Sequence, residues 1–400
     1  AGQPLGAAII EPTWPALLQA AANKLRLKKK EVIAARMFVW RTGAEVPRDS
    51  MDVRSVVSDG ELVVIAHGGE PFAGKSAGSA GGRAPSSKGP GAAGAGCSDG
   101  LTELQARATE LAELVAVNPL HGADDAGAEY PSVFSLWEMQ ARRHSAFYAA
   151  NDAWWADAGY GGATDEAAMI GDDGSAADLE ESCAFLDKLI RTTPGLRLDV
   201  ALDAGAGVGR VTKGCLLRRC KQVHLLEACE AWSRQSRRYL GRKRSERCTF
   251  LLGRLEDFTP AAGTYDLIWA QWVLQYLTDA DAARALGALG RSLSPTGLLV
   301  LKENYPYWLP PVERSAAFAV DVPEGEHGRY DVTRPDAHHR LLFHAARLRV
   351  VQAERGSETV TWVLGAEAGA AGETVDAAAV LLGALDLRGE RAAHLEARWA

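Results

Sequence analysis

The chain has 400 residues, 47% of them hydrophobic and 24% charged, with a net charge of −7. That length implies two folded units plus linkers, and the mildly acidic balance argues against nucleic-acid binding by charge alone. No uninterrupted apolar run reaches the ~18 residues that a membrane span needs.

Within residues 1–73, AAIIEP reads as a strand and PALLQAAANKL as an amphipathic helix, followed by strands RMFVWRT and ELVVIAHG with turn signals at VPRD and SDG. This order suggests a small α+β module of the β-grasp, ubiquitin-like kind, suited to docking a protein partner. Residues 74–100 are rich in Gly, Ala, Ser and Pro and predict a flexible linker. A helix is expected over 101–118, then a loop to Tyr130. An aromatic-rich helix from Val133 to Trp155 opens a helical lid spanning about 133–190.

After Gly174 strands and helices alternate: helix DLEESCAFLDKLI, strand LDVALDAG, helix VTKGCLLRRC, strand QVHLLEA, helix EAWSRQSRRYLGRK, strand CTFLLGR, strand YDLIWAQWV, helix DADAARALGALGRSL and strand GLLVLKEN. Helix RPDAHHRLLFHAA then leads to strands LRVVQAE and ETVTWVLGAE, which predict a terminal antiparallel hairpin. Such alternation of short apolar strands with helices implies a seven-stranded Rossmann-like α/β sheet with helices on both faces, within a domain of residues 101–366. Residues 367–400 are expected to form a helical extension.

The six cysteines form no CxxC pair, and several fall in core elements, where a thiol acts as a small apolar group. A reduced compartment, cytoplasm or nucleus, is therefore expected. The N-terminus lacks the basic stretch and long apolar core of a signal peptide, although a removed targeting segment stays open. The basic run Arg234 to Arg247 reads as a solvated helix face. His338, His339 and His344 lack metal-ligand spacing and read as ordinary surface or groove histidines, so no metal is expected.

The most informative motif is Asp203-Ala-Gly205-Ala-Gly207-Val-Gly209-Arg210, at the tip of the first parallel strand. Glycines let such a loop approach a ligand closely, but dinucleotide enzymes share it. Asp203 ahead of the glycines gives the DxGxGxG form usual in methyltransferases. Glu227 ends the next strand, where a carboxylate can accept ribose hydroxyls. Leu255 and Glu256 follow the third strand, and Gln271 and Trp272 end the fourth, all at the strand edges where ligands bind.

The residues from about Phe147 to Glu354 resemble the protein α-N-terminal methyltransferases, which modify X-Pro-Lys/Arg N-termini. FYAANDAWW, LDAGAGVGRVTK, YDLIWAQWVLQYLTD, SLSPTGLLVLKEN and DVTR carry the likeness. The resemblance implies S-adenosylmethionine (AdoMet) as cofactor, held by Trp155, Gly205, Gly207, Arg210, Glu227, Leu255, Glu256 and Gln271. It implies a protein or peptide N-terminus as substrate, with Trp272 packed on its proline, Asn304 bonding the peptide end with its neighbour Glu303, and Asp331 beside the attacking amine.

Departures are Tyr276 where the family has His, KEN in place of KDN, a reduced glycine loop at Met169-Ile170-Gly171-Asp172-Asp173, and Gly328 at an expected acid. Asp321, Glu324 and Glu326 are candidate rim acids for a cationic substrate residue. Catalytic roles thus fall to Asp331, Asn304 and Tyr276, the phenol positioning rather than deprotonating. Alternatives are a methyltransferase for a small amine or another protein nitrogen, a non-catalytic AdoMet-binding adaptor, and a nicotinamide dehydrogenase.

Overall fold

The computed structural model describes residues 36–39, 63–66, 97–157, 159–161, 165–171, 175–325, 327–369 and 375–396. The chain divides into two units, residues 1–94 with 388–400, and residues 95–387. In the first, strands β1 (Arg36–Val39) and β2 (Val63–Ala66) pair antiparallel. AAIIEP and PALLQAAANKL, the strand and helix expected of a β-grasp module, lie outside the described residues.

The larger unit opens with helix Cys97–Val117, which starts inside the stretch expected to be linker. Strands β3 (His121–Asp124) and β4 (Glu129–Tyr130) follow where a loop was expected, then the long helix Val133–Ala156 and helix Ser175–Thr192. The parallel core comprises β5 (Val200–Ala204), β6 (Gln222–Glu227), β7 (Cys248–Leu252), β8 (Tyr265–Gln271) and β9 (Leu293–Asn304). Beyond it come β10 (Ala317–Asp321), β11 (Asp331–Thr333), β12 (Leu348–Arg355) and β13 (Thr359–Ala366).

The seven-stranded sheet has the order β12-β13-β9-β8-β5-β6-β7. β13 runs antiparallel to both β9 and β12, while the β9-β8-β5-β6-β7 run is parallel. Every residue of β8 is buried, because helices cover both faces of the sheet. The chain leaves β5 toward β6 on one side, and β8 lies on the other. This reversal opens a crevice beyond the strands' carboxyl ends.

A second sheet, β11-β10-β3-β4, was not expected from sequence. Its strands are two to five residues long, too short to show a period of two. Its β11 begins at Asp331, so this sheet positions that carboxylate. At the other end of the unit, Ala377, Val380, Leu381 and Ala384 of helix Ala377–Glu396 join the main core. The start of the C-terminal helix is therefore part of this unit's packing rather than an appendage.

Candidate active site

The loop after β5 is shaped by glycine. Gly205 and Gly207 have φ of +73° and +54°, and a Cβ on Gly207 would lie 2.4 Å from Met169 Sδ. Only glycine takes this backbone region freely. The Asp203 carboxylate accepts from the Thr212 hydroxyl (2.6 Å) and amide (3.1 Å), tying the loop to the helix that follows. Glu227 at the tip of β6 accepts from the amides of Gly207 (2.8 Å) and Cys229 (2.7 Å). Each oxygen keeps a further lone pair for a ligand hydroxyl.

These residues border a cavity of about 630 Å³, within the usual range for cofactor sites. Trp155, Met169, Gly205, Gly207, Arg210, Glu227, Leu255, Glu256, Gln271, Trp272, Tyr276 and Asn304 all line it. Eleven of these are site residues expected from sequence. Met169 is the addition.

Trp272 has a φ of +53°, a left-handed conformation uncommon outside glycine and costly unless its surroundings hold it. Three consecutive amides show how it is held. Trp272 N–H donates to the Lys302 carbonyl (3.0 Å), while those of Val273 and Leu274 donate to Glu303 Oε1 (2.9 and 2.8 Å). Trp272 Nε1 then donates to Asn304 Oδ1 (3.0 Å), joining two cavity walls.

Glu303 was expected to bind substrate, but it is buried and does not line the cavity. Burial pushes its carboxyl up to about 7 against the two amide bonds. Its role here is to brace the strained turn from behind.

A second buried assembly was missed in the sequence. Asp178 accepts from Arg210 (2.6 Å), Lys302 Nζ (2.8 Å) and Gln271 Nε2 (2.9 Å), with Glu181 also on Lys302 (2.7 Å). Burial alone would raise the Asp178 carboxyl, but the two cations outweigh it and hold it below the usual range. Asp178 does not line the cavity; it fixes Arg210 and Gln271, which do. One signal pointed to it. A lysine in the apolar strand GLLVLKEN must find an anion if buried, and Asp178 and Glu181 stand one helical turn apart.

At the far end of the cavity, Tyr276 and Tyr160 place their hydroxyls 3.3 Å apart. Asn151 of the long helix donates to the Tyr276 carbonyl (3.1 Å) and accepts from the Tyr330 amide (2.7 Å), locking lid, turn and second sheet together. Asp331 is buried but, unlike Tyr276, does not line the cavity. Arg329, a residue overlooked in the sequence, bonds the Asp331 carboxylate at 3.1 Å. Burial pushes the Asp331 carboxyl up to about 7, with Arg329 opposing the rise. Burial likewise drives the Tyr276 phenol well above its ordinary value, so it is protonated at neutral pH.

The rim acids fare unevenly. Asp321 is exposed and 3.8 Å from Arg329, Glu324 is exposed, and Glu326 lies outside the described residues. His338 and His339 are core residues, not surface ones. His338 joins Arg334 and Trp137 around the buried Asp279 (2.5, 2.7 and 2.6 Å), a structural use of the LTD block. The basic run forms a solvated face, with Arg234, Arg237, Arg238, Arg242 and Lys243 exposed.

The strand order, the antiparallel β13 inserted beside β9 and the acid-then-glycine loop define an AdoMet-dependent methyltransferase of the Rossmann-like class. The profile of the family described as AdoMet dependent proline di-methyltransferase matches residues 143–361, and the chain belongs to that family.

Among its relatives, the mouse (Mus musculus) N-terminal Xaa-Pro-Lys N-methyltransferase 1 is 38% identical over 128 residues, 32% of this chain and 57% of the relative. The Arabidopsis thaliana alpha N-terminal protein methyltransferase 1 is 30% identical over 244 residues, 57% of this chain and 82% of the relative. A solved SAM-dependent methyltransferase from Leishmania major matches with a TM-score of 0.52 and 29% identity, over 62% of this chain and 96% of that one. The chain spans 57–59% of the length of the mouse and human relatives it matches.

The residues present fit AdoMet. The cavity has the required size, and the positive φ of +54° at Gly207 disfavours a side chain in the loop that borders it. Glu227 at the second strand tip and Leu255 and Glu256 after the third line that cavity. Arg210 and Gln271 near the first and fourth tips line it as well.

Proposed function

We propose that this protein transfers methyl groups from AdoMet to the free α-amine of protein N-termini of the X-Pro-Lys/Arg type. The observation that carries the reading is the joined pair Trp272–Asn304 in the wall of the cavity that begins at the glycine loop and Glu227. An indole face suits a proline ring, and an amide beside it can bond a peptide backbone. The names of the relatives from mouse and Arabidopsis support the same substrate class.

The cofactor supplies an electrophilic methyl group on a sulfonium sulfur. Everything else falls to the chain. The acceptor nitrogen must be neutral to form its bond to carbon, and a terminal amine with a reference pKa of about 7.7–8.0 gives up its proton more readily than a lysine at ~10.4. Asp331, with its carboxyl near 7, is suited to hold and then take that proton. Tyr276, protonated at neutral pH, offers a hydroxyl that orients the amine. Trp272 and Asn304 align the peptide, and alignment of this kind contributes several kcal/mol to a displacement. We further propose that the N-terminal unit is a β-grasp docking module, a reading supported by the β1–β2 pairing, and that the enzyme works in the cytoplasm or nucleus.

The test is mass spectrometry of short peptides incubated with the protein and AdoMet. The peptides are Ser-Pro-Lys with a free N-terminus, the same peptide N-acetylated, and the free form with Pro replaced by Ala. Gains of one or more methyls on the free Pro-containing peptide alone are expected. No gain on any peptide, with AdoMet still bound by calorimetry, would replace the reading with small-amine transfer or an AdoMet-binding adaptor.

A further inference from the structure

Arg329 sits where a substrate cation belongs. Its guanidinium carbon lies 4.6 Å from the Trp154 ring centroid, 5.1 Å from that of Tyr160 and 5.8 Å from that of Tyr276. It also pairs with Asp331 at 3.1 Å and Asp321 at 3.8 Å, and donates to the Tyr160 hydroxyl at 3.1 Å. Three aromatic faces within ~6 Å of a cation, closed by carboxylates, form the arrangement that holds organic ammonium ions. Two of the three rings, Tyr160 and Tyr276, also line the cofactor cavity. The cage and the cavity therefore share a wall. Asp331, the carboxylate suited to receive the amine's proton, lies in the cage and not in the cavity wall.

We propose that Arg329 is an internal stand-in for the substrate's ammonium group: it fills the acceptor cage and must be displaced before an amine can reach Asp331. The inference rests on the reading that an amine is the acceptor, but not on which amine. Arg329 then determines substrate affinity without touching the cofactor. If the cage is open in only a fraction of molecules, the apparent dissociation constant of any cation for it rises by the inverse of that fraction, so an open fraction of ~10% weakens binding about tenfold. Arg329 has neighbours on every side that make closure favourable: Trp154 from the long helix, Tyr276 from the turn after β8, Asp321 from β10 and Asp331 from β11. The cage is consequently selective. A weakly held cation opens it only at high concentration, while an N-terminus that also gains contacts at Trp272 and Asn304 opens it at low concentration.

The full-length protein and the Arg329→Met and Arg329→Lys variants are titrated with tetramethylammonium chloride by NMR at mildly alkaline pH. AdoMet binding, measured by calorimetry, serves as the control for folding. Arg329→Met is expected to bind tetramethylammonium about tenfold more tightly than the parent, and Arg329→Lys, which keeps a cation in the cage, is expected to bind it as weakly as the parent. An Arg329→Met protein that binds AdoMet normally but gains no affinity for the probe would overturn the proposal.

Should that variant not fold, hydrogen exchange on the parent decides the matter. Saturating tetramethylammonium is expected to speed exchange in residues 327–330, and unchanged or slower exchange there would sink the idea. The probe is not a substrate, so a gain in its affinity alongside unmethylated peptides would retain the cage and reject only the N-terminal reading.

Discussion

Asp331 gains its chemical character from where the backbone puts it. A carboxylate at the start of β11, buried against Tyr276 and paired with Arg329, is held near 7 instead of near 4. Replacing it with Asn keeps the shape and removes the proposed proton acceptor, so Asp331→Asn is expected to lower kcat by about 100-fold or more. Its AdoMet dissociation constant, read by calorimetry, stays within about twofold of the parent, because Asp331 does not line the cofactor cavity.

The sign of the pH dependence follows from the same shift. The ionised form is the one that accepts a proton, so activity of the parent rises as pH increases through about 7. In Asp331→Asn that limb disappears, and the remaining rise, near pH ~8, belongs to the substrate amine. A pH profile of kcat/KM that is identical in the two proteins would remove Asp331 from the chemistry. For stability the sign is opposite. A carboxyl whose folded value lies above its unfolded one stabilises the fold at low pH, and the contribution fades as pH rises from ~4 to about 7.

Among elements, helix Ser175–Thr192 and strand β9 depend on each other through one carboxylate. Asp178 is paired with two buried cations, Arg210 and Lys302, and removing one member of such a buried pair costs about 3–5 kcal/mol. Asp178→Ala is therefore expected to lose about 3 kcal/mol or more in urea denaturation. It should also weaken AdoMet binding at least about tenfold, since Arg210 and Gln271 lose the group that aims them. Stability that falls while AdoMet affinity holds would show that Asp178 supports the fold alone.

The long helix Val133–Ala156 works by the same logic. Asn151 adds polar links to both the Tyr276 turn and the segment leading into the second sheet, beside the ring contacts of Phe147 with Tyr330 and Trp155 with Tyr276. The aromatic run FYAANDAWW announced a helix over the site, and the polar residue inside it adds to the alignment.

For the molecule as a whole, all the cavity-lining residues belong to the unit of residues 95–387. Deleting residues 1–94 is expected to leave the AdoMet dissociation constant within about twofold of the parent, measured by calorimetry on the shortened and full-length proteins. A large loss would assign the N-terminal unit a part in forming the site, contrary to a docking role.

What the sequence determined by itself is local and periodic. Strands of five or more apolar residues, helices of 3.6 periodicity and an acid-glycine loop each announce themselves, because the cause of each lies within a few neighbouring residues. Glu227, Leu255, Gln271 and Trp272 were legible as strand-end residues for the same reason: the order of a doubly wound sheet makes its carboxyl ends the ligand edge.

Only the tertiary structure decided the rest. The second sheet joins segments nearly 200 residues apart, His121–Asp124 and Ala317–Asp321, through strands too short to have a signature. Glu303 looked like a ligand-facing acid, yet β9 directs it behind the Trp272 turn. Asp178, hinted at only by the lysine in GLLVLKEN, and Arg329 belong to no motif, since a charge becomes meaningful only when folding removes water and brings it its partners.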